Sequence, residues 1–169
     1  MVRYVFLNKK IELATYKDFF KLVLHDILSK CVEQNVMILE VRHTVGQLFD
    51  DFRSPISLEE ELRIIQEQVR LIQINHPNFK FKLILTGLKI AGRAHIKQML
   101  TNLLKSREYS SIIGGYDLVN EEDFSSPLLE FTSDILSNLK DHSFPCILTS
   151  GLTHDRQNEN LYDAIVLNS

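Results

Sequence analysis

Apolar positions along this chain repeat at two periods, and the periods alternate. Tyr16, Phe19, Phe20, Val23, Ile27 and Cys31 fall on one face of a helix over residues 16–35. Val36, Met37, Ile38 and Leu39 then run apolar without alternation, which predicts a strand buried on both faces. That run closes on Glu40-Val41-Arg42, and a period of two puts Glu40 and Arg42 on one side of the sheet. After a loop with Pro55, Ser57-Leu58-Glu59-Glu60 reads as a capping box, with Ser57 the cap and Glu60 reaching back to it. The helix it opens turns Leu58, Leu62, Ile65, Val69 and Ile72 inward and stops before Pro77.

The alternation continues. A second strand, Phe81 to Thr86, ends at Gly87, and a helix over 91–107 presents Ile96, Leu100 and Leu103. A third strand opens the stretch Ile112 to Asp123, IIGGYDLVNEED. Ser126-Pro127 is a cap followed by proline, ahead of a stripe of Leu128, Phe131, Ile135 and Leu139. A fourth strand, Phe144 to Thr149, leads to Ser150-Gly151, and a last helix runs from Asn158 to Leu167. Strand starts near 36, 79, 112 and 144 have the spacing of βαβ units. Right-handed crossovers then make the sheet parallel. The fold class is α/β, and four such units are half of an eight-stranded barrel; a four-stranded open sheet is the alternative. No repeat, linker or low-complexity tract marks a boundary, so residues 1–169 are expected to form a single domain.

Composition changes this picture little. The chain is 44% hydrophobic and 24% charged, with a net charge of −3 and no basic block to follow a phosphate backbone, so nucleic acid is not an expected partner. No run approaches the roughly 20 apolar residues of a membrane span. The apolar run from Tyr4 to Leu7 stops at Asn8 and two lysines, too short for a leader, so a chain starting at its true N-terminus is expected in the cytosol. Cys31 and Cys146 could pair only once, and buried thiols are the better reading.

Chemistry is expected where strands end, the place at which barrels of this kind hold their sites. Gly114 and Gly115 let backbone or ligand approach closely, and Asp117 follows them. Asp117 fits two roles equally: facing a ligand, or holding a neighbouring loop through backbone hydrogen bonds. Glu121, Glu122 and Asp123 read as a solvated loop. The six histidines (His25, His43, His76, His95, His142, His154) show no His-x-His or His-Glu-x-x-His spacing, and read as surface or satisfied side chains. His154 and Asp155 read as a solvated loop after the fourth strand, and Glu40 with Arg42 as an internal ion pair. Gly87 and Gly92 lack the context of a phosphate-binding turn, and Phe19, Phe20, Phe79 and Phe81 read as core.

Three segments carry a resemblance: EVR at Glu40 to Arg42, GGYDLVNEED at Gly114 to Asp123, and YDAIVLNS at Tyr162 to Ser169. In this order and spacing they resemble the adenosine deaminases, most closely the growth-factor-related type, many of whose members are secreted. The resemblance implies a zinc-bearing (β/α)8 barrel, of which this chain would hold strands two to five. It also implies hydrolysis of adenosine to inosine and ammonia by a zinc-activated water, with a glutamate moving the proton. At the family's strand-five His-Ala-Gly-Glu position, this chain has Thr149 where the ligand histidine stands and Leu152 where the glutamate stands. Asn120 replaces a glycine whose backbone contacts the purine. A neutral hydroxyl is a poor zinc ligand, and leucine moves no proton. The resemblance therefore implies a partial or degenerate member, with no zinc, no other cofactor and no catalytic residue in this chain; the alternatives are a fragment of an active adenosine deaminase in purine salvage, or a non-catalytic nucleoside-binding or interaction module. Asp117 and Asn120 would line a vestigial pocket for adenosine or a related nucleoside. Half a barrel also leaves apolar edge strands unpaired, so self-association or a partner at those edges is expected.

Overall fold

The computed structural model describes residues 4–6, 15–51, 53–119, 122–139, 144–151, 153 and 159–167. Among these residues five strands alternate with five helices: β1 (Tyr4–Phe6), α1 (Lys17–Glu33), β2 (Ile38–His43), α2 (Leu58–Asn75), β3 (Lys80–Leu88), α3 (Gly92–Lys105), β4 (Ile113–Val119), α4 (Leu129–Leu139), β5 (Cys146–Leu148) and α5 (Asn160–Leu167). The strands are hydrogen-bonded in sequence order, β1-β2-β3-β4-β5. That is the parallel strand–helix alternation expected from the strand spacing, with one strand more. The short run Tyr-Val-Phe pairs parallel with β2, Tyr4 opposite Glu40 and Phe6 opposite Arg42. No helix among the described residues is long and apolar enough to cross a membrane.

The chain divides into two compact units, Met1–Ile84 with Ser106–Gly114, and Leu85–Lys105 with Gly115–Ser169. In the first, α1 lies against α2. The buried stripe of α1 is Phe20, Leu24, Leu28 and Cys31, one position round from the expected face, so Phe19, Val23 and Ile27 are left half-buried. α2 buries Leu62, Ile65, Val69 and Ile72 as expected and stops before Pro77. Ser57 caps it, its hydroxyl accepting from the Glu60 amide at 3.1 Å. The Glu60 carboxylate lies 3.4 Å from Lys17 Nζ on α1; exposed to this degree, such a pair contributes at most about 1 kcal/mol.

β2 departs from expectation. It alternates, with Leu39 and Val41 buried while Met37 and Ile38 are exposed and Glu40, Arg42 and His43 half-buried. Glu40 and Arg42 do share one face, and two charged side chains keep that face from closing as an apolar one would. His43 ends the strand on the other face. Its ring stacks on Phe20 with centroids 5.4 Å apart, and its Nε2 lies 2.5 Å from Glu61 Oε1. Glu61 is fully buried, and its second oxygen accepts from the Gly46 amide at 2.7 Å. Standing in the first turn of α2, this carboxylate is also favoured by the helix dipole.

In the second unit, β4 is buried on both faces through Tyr116, Asp117 and Leu118. A side chain at Gly115 would meet the Pro145 carbonyl at 2.6 Å, and Tyr116 N donates to that same oxygen at 3.0 Å. At Gly115 the close approach that the glycine pair predicts is therefore one of backbone to backbone. Gly87 makes room for Tyr116, whose Oη would stand 2.0 Å from a Cβ at that position. Burial pushes the Tyr116 phenol well above its ordinary range, and its hydroxyl has no hydrogen-bond partner among the described residues. Tyr116→Phe should therefore leave stability unchanged or raise it by about 1 kcal/mol. Gly87→Ala should lower it, and adding Tyr116→Phe should recover part of that loss, because the clashing atom is the hydroxyl. Urea melts of the three variants would show this order.

α3 and α4 lie together, joined by the Arg93 guanidinium, whose Nη2 donates to Asp134 Oδ1 at 3.2 Å while Nε donates to Oδ2. α4 starts two residues past Pro127. The Leu128 amide ahead of it donates to Asn160 Oδ1 at 2.6 Å, so a buried asparagine of α5 supplies the cap that Ser126 was expected to give. Leu128, Phe131 and Ile135 are buried as read, while the Leu139 side chain lies outside the described residues. β5 is shorter than read and only half-buried.

Candidate functional site

The polar groups that the second unit buries gather where its strands end. β3 runs into a 3-10 turn, Lys89–Ala91, and Lys89 is 1% exposed. Its ammonium has no hydrogen-bond partner among the described residues. Burial lowers its pKa, against the pull of the Glu122 and Asp117 carboxylates. Glu122, just past β4, is itself buried, so the solvated-loop reading is wrong for it: the ammonium draws the carboxylate in. Asp123 keeps to the exposed side, where it accepts a hydrogen bond from Thr153.

Asp117 is fully buried in β4, and both of its oxygens are engaged by one residue. Thr149 N donates to Oδ1 at 3.0 Å and Thr149 Oγ1 donates to Oδ2 at 2.7 Å. Beside the main-chain pairing of β4 with β5, in which Tyr116 stands opposite Cys146 and Leu118 opposite Leu148, this fork pins the end of β5. These bonds hold a neighbouring segment partly through its backbone, which is one of the two roles open to Asp117. Cys146 has its thiol pushed up to about 12, by burial first and by Asp117 second. It stays a protonated thiol at neutral pH, and neither it nor Cys31 is in a disulfide.

Two of the four sequence-named positions, Asp117 and Thr149, are thus brought into contact. Asn120 and Leu152 lie outside the described residues, as do Glu121, His142, His154 and Asp155. Sequence reasoning missed Lys89 and Glu122. Their signal was faint: a lysine directly after an apolar strand, where a turn to solvent would serve as well.

A zinc ion needs about three protein ligands with one position left open. Among the described residues, no group of three His, Cys, Asp or Glu side chains could hold a metal. Thr149 turns its hydroxyl proton to Asp117, the carboxylate nearest it has both oxygens occupied, and the Lys89 ammonium adds a positive charge that a divalent cation would have to oppose. The described residues do not by themselves fit zinc, and no step through a metal is derived from them. Their chemistry is that of a buried strand-end cluster in which the Lys89 ammonium feels the carboxylates of Glu122 and Asp117, and Asp117 is bonded to Thr149.

No protein-family model matches the chain. Curated relatives do. It is 27% identical to adenosine deaminase 2-A of Danio rerio over 93% of its own length and 32% of that protein's. It is also 27% identical to an adenosine deaminase of Lutzomyia longipalpis, over 92% of this chain and 31% of the relative. Adenosine deaminase 2 of Dictyostelium discoideum is 25% identical, over 93% and 30%. Among solved structures, a zinc-bound amidohydrolase from Burkhoderia ambifaria superposes with a TM-score of 0.75 at 14% identity, covering 91% of this chain and 40% of that one. The arabidopsis N6-mAMP deaminase does so at 0.65 and 14%, covering 86% and 43%. At such identity these two establish the fold alone, a partial barrel of parallel strands and helices. The resemblance to the adenosine deaminases thus holds over nearly the whole chain, which spans about a third of the length of the curated relatives it matches.

Proposed function

We propose that this chain is an adenosine deaminase relative that does not deaminate, and that its remaining ligand class is adenosine or a related nucleoside. The observation that carries the reading is the pairing of Thr149 with Asp117. By the resemblance, Thr149 stands where a ligand histidine would be. A neutral threonine hydroxyl, here tied to Asp117, is a far weaker zinc ligand than an imidazole nitrogen. Leu152, at the position of the proton-moving glutamate, has no titratable group. Losing a general acid–base group alone costs on the order of 10²–10⁴-fold in rate, and losing the metal-activated water costs more.

Two assays on the purified chain test this. Incubated with zinc and adenosine, it should form inosine no faster than the background without protein, and after dialysis it should hold well under one zinc per chain. Inosine formation above background, with about one zinc retained, would show instead a piece of an active deaminase, the reading that the threefold longer relatives favour. A rise in melting temperature with adenosine or inosine would support retained binding, since a ligand held only by the folded state stabilises it. No rise with either would remove the nucleoside from the proposal and leave the loss of catalysis standing.

A further inference from the structure

Lys89 is the buried group whose chemistry the cluster leaves unused. It stands in the turn between β3 and α3, well inside the chain, and is 1% exposed, so the groups that close it off already belong to this chain. Lys89, Asp117 and Glu122 all fall within the second unit. The two carboxylates attract the ammonium, yet Nζ makes no hydrogen bond among the described residues. Charge attraction acts across several ångströms, whereas a hydrogen bond needs its acceptor within about 3.2 Å. An ammonium has three N–H donors and no acceptor. Here they are held out of water with negative charge nearby and no acceptor in reach, a state that costs free energy until something accepts from them.

The nearest carboxylates do not fill that need. Asp117 holds Thr149 with both of its oxygens, and Glu122 draws on Lys89 without bonding to it. The turn also lies where a strand leads into its helix, the end of the sheet at which barrels of this kind bind their ligands.

We propose that Lys89 is a ligand-binding residue, its ammonium donating to a neutral acceptor atom of the bound nucleoside, a ribose oxygen or a ring nitrogen. The proposal rests on the nucleoside reading above and names the residue that grips the ligand. Neutrality of the acceptor follows from the charges. One ammonium faces two carboxylates, so a phosphate placed here would meet more repulsion than attraction. Ribose oxygens and ring nitrogens accept without bringing charge. The turn therefore selects a nucleoside over its 5′-monophosphate.

The test is binding of adenosine, inosine and adenosine 5′-monophosphate to the full chain, by calorimetry and by melting temperature. Wild type should respond to a nucleoside and not to the monophosphate. Lys89→Met alone would leave the Glu122 carboxylate buried without its cation, so the variant to use is Lys89→Met with Glu122→Gln, and Glu122→Gln alone is its control. The control should bind as wild type does. The double variant should bind about tenfold more weakly or worse, the loss expected for one hydrogen bond from a charged donor, with an unchanged far-UV circular dichroism spectrum. A readout that needs no variant is the Lys89 ammonium resonance in chain labelled with nitrogen-15 lysine, which should move as adenosine is added. A wild type that responds to neither nucleoside would remove the nucleoside reading and this proposal together. A wild type that responds while the double variant responds equally, or while the ammonium resonance stays fixed, would leave that reading standing and overturn this one, with internal water as the partner of Lys89. A loss as large in Glu122→Gln as in the double variant, or tighter binding of the monophosphate than of adenosine, would overturn it as well.

Discussion

Glu61→Ala is expected to lower the folding free energy by about 3–5 kcal/mol, the range for removing one partner of a buried pair. Glu61 is fully buried and takes His43 Nε2 on one oxygen and the Gly46 amide on the other. Alanine removes both acceptors. It leaves an amide and an imidazole without partners in a space closed by Phe20 and α2, where each unsatisfied group costs about 1–3 kcal/mol. Glu61→Gln should cost less, since its amide oxygen still accepts one bond. Urea denaturation of both variants, with His43→Ala and the double variant to complete a cycle, measures the coupling between the two side chains. A loss below about 0.5 kcal/mol for Glu61→Ala, the size of an ordinary surface change, would mean that the pair does not support the first unit.

Asp117→Ala is expected to cost about 2–4 kcal/mol, from two hydrogen bonds to a buried carboxylate worth roughly 1.5–3 kcal/mol each before the structure relaxes. Thr149 loses the acceptor of its amide and of its hydroxyl in one change. Asp117→Asn should keep most of the geometry, because the amide oxygen can take the Thr149 N–H while the threonine hydroxyl turns to accept from the amide nitrogen. Hydrogen exchange gives the local readout: the Thr149 amide should exchange much faster in Asp117→Ala, while amides of α2 in the first unit slow or quicken only with global stability. Equal protection of Thr149 in wild type and variant would show that main-chain pairing alone holds the end of β5.

Much of the fold was legible because burial in helices leaves a period. α2 and α3 were found with their inward residues, since Leu62, Ile65, Val69 and Ile72 in one and Ile96, Leu100 and Leu103 in the other repeat every three or four positions. The errors came where periodicity is silent. β1 has three residues, too few to show any alternation. α1 is apolar over so wide an arc that pattern could not choose between Val23 and Leu24 as the inward position. Val36 to Leu39 reads as a strand buried on both faces only if something covers both, which local sequence cannot say. The cap of α4 comes from Asn160, more than thirty positions away, where no local motif could point to it.

The residues alone determined the alternation of strands and helices, the parallel order that such spacing imposes, and the likeness to adenosine deaminases, which implies threonine and leucine at positions where that chemistry needs histidine and glutamate. Those are properties of order and identity along the chain. Only the tertiary structure decided that Asp117 spends both oxygens on Thr149, that Lys89 and Glu122 are drawn inside, and that His43 leans on Glu61. Each of these is a pairing or a burial set by residues far apart in sequence, and the cost of leaving a polar group buried without a partner acts only once the chain has brought them together.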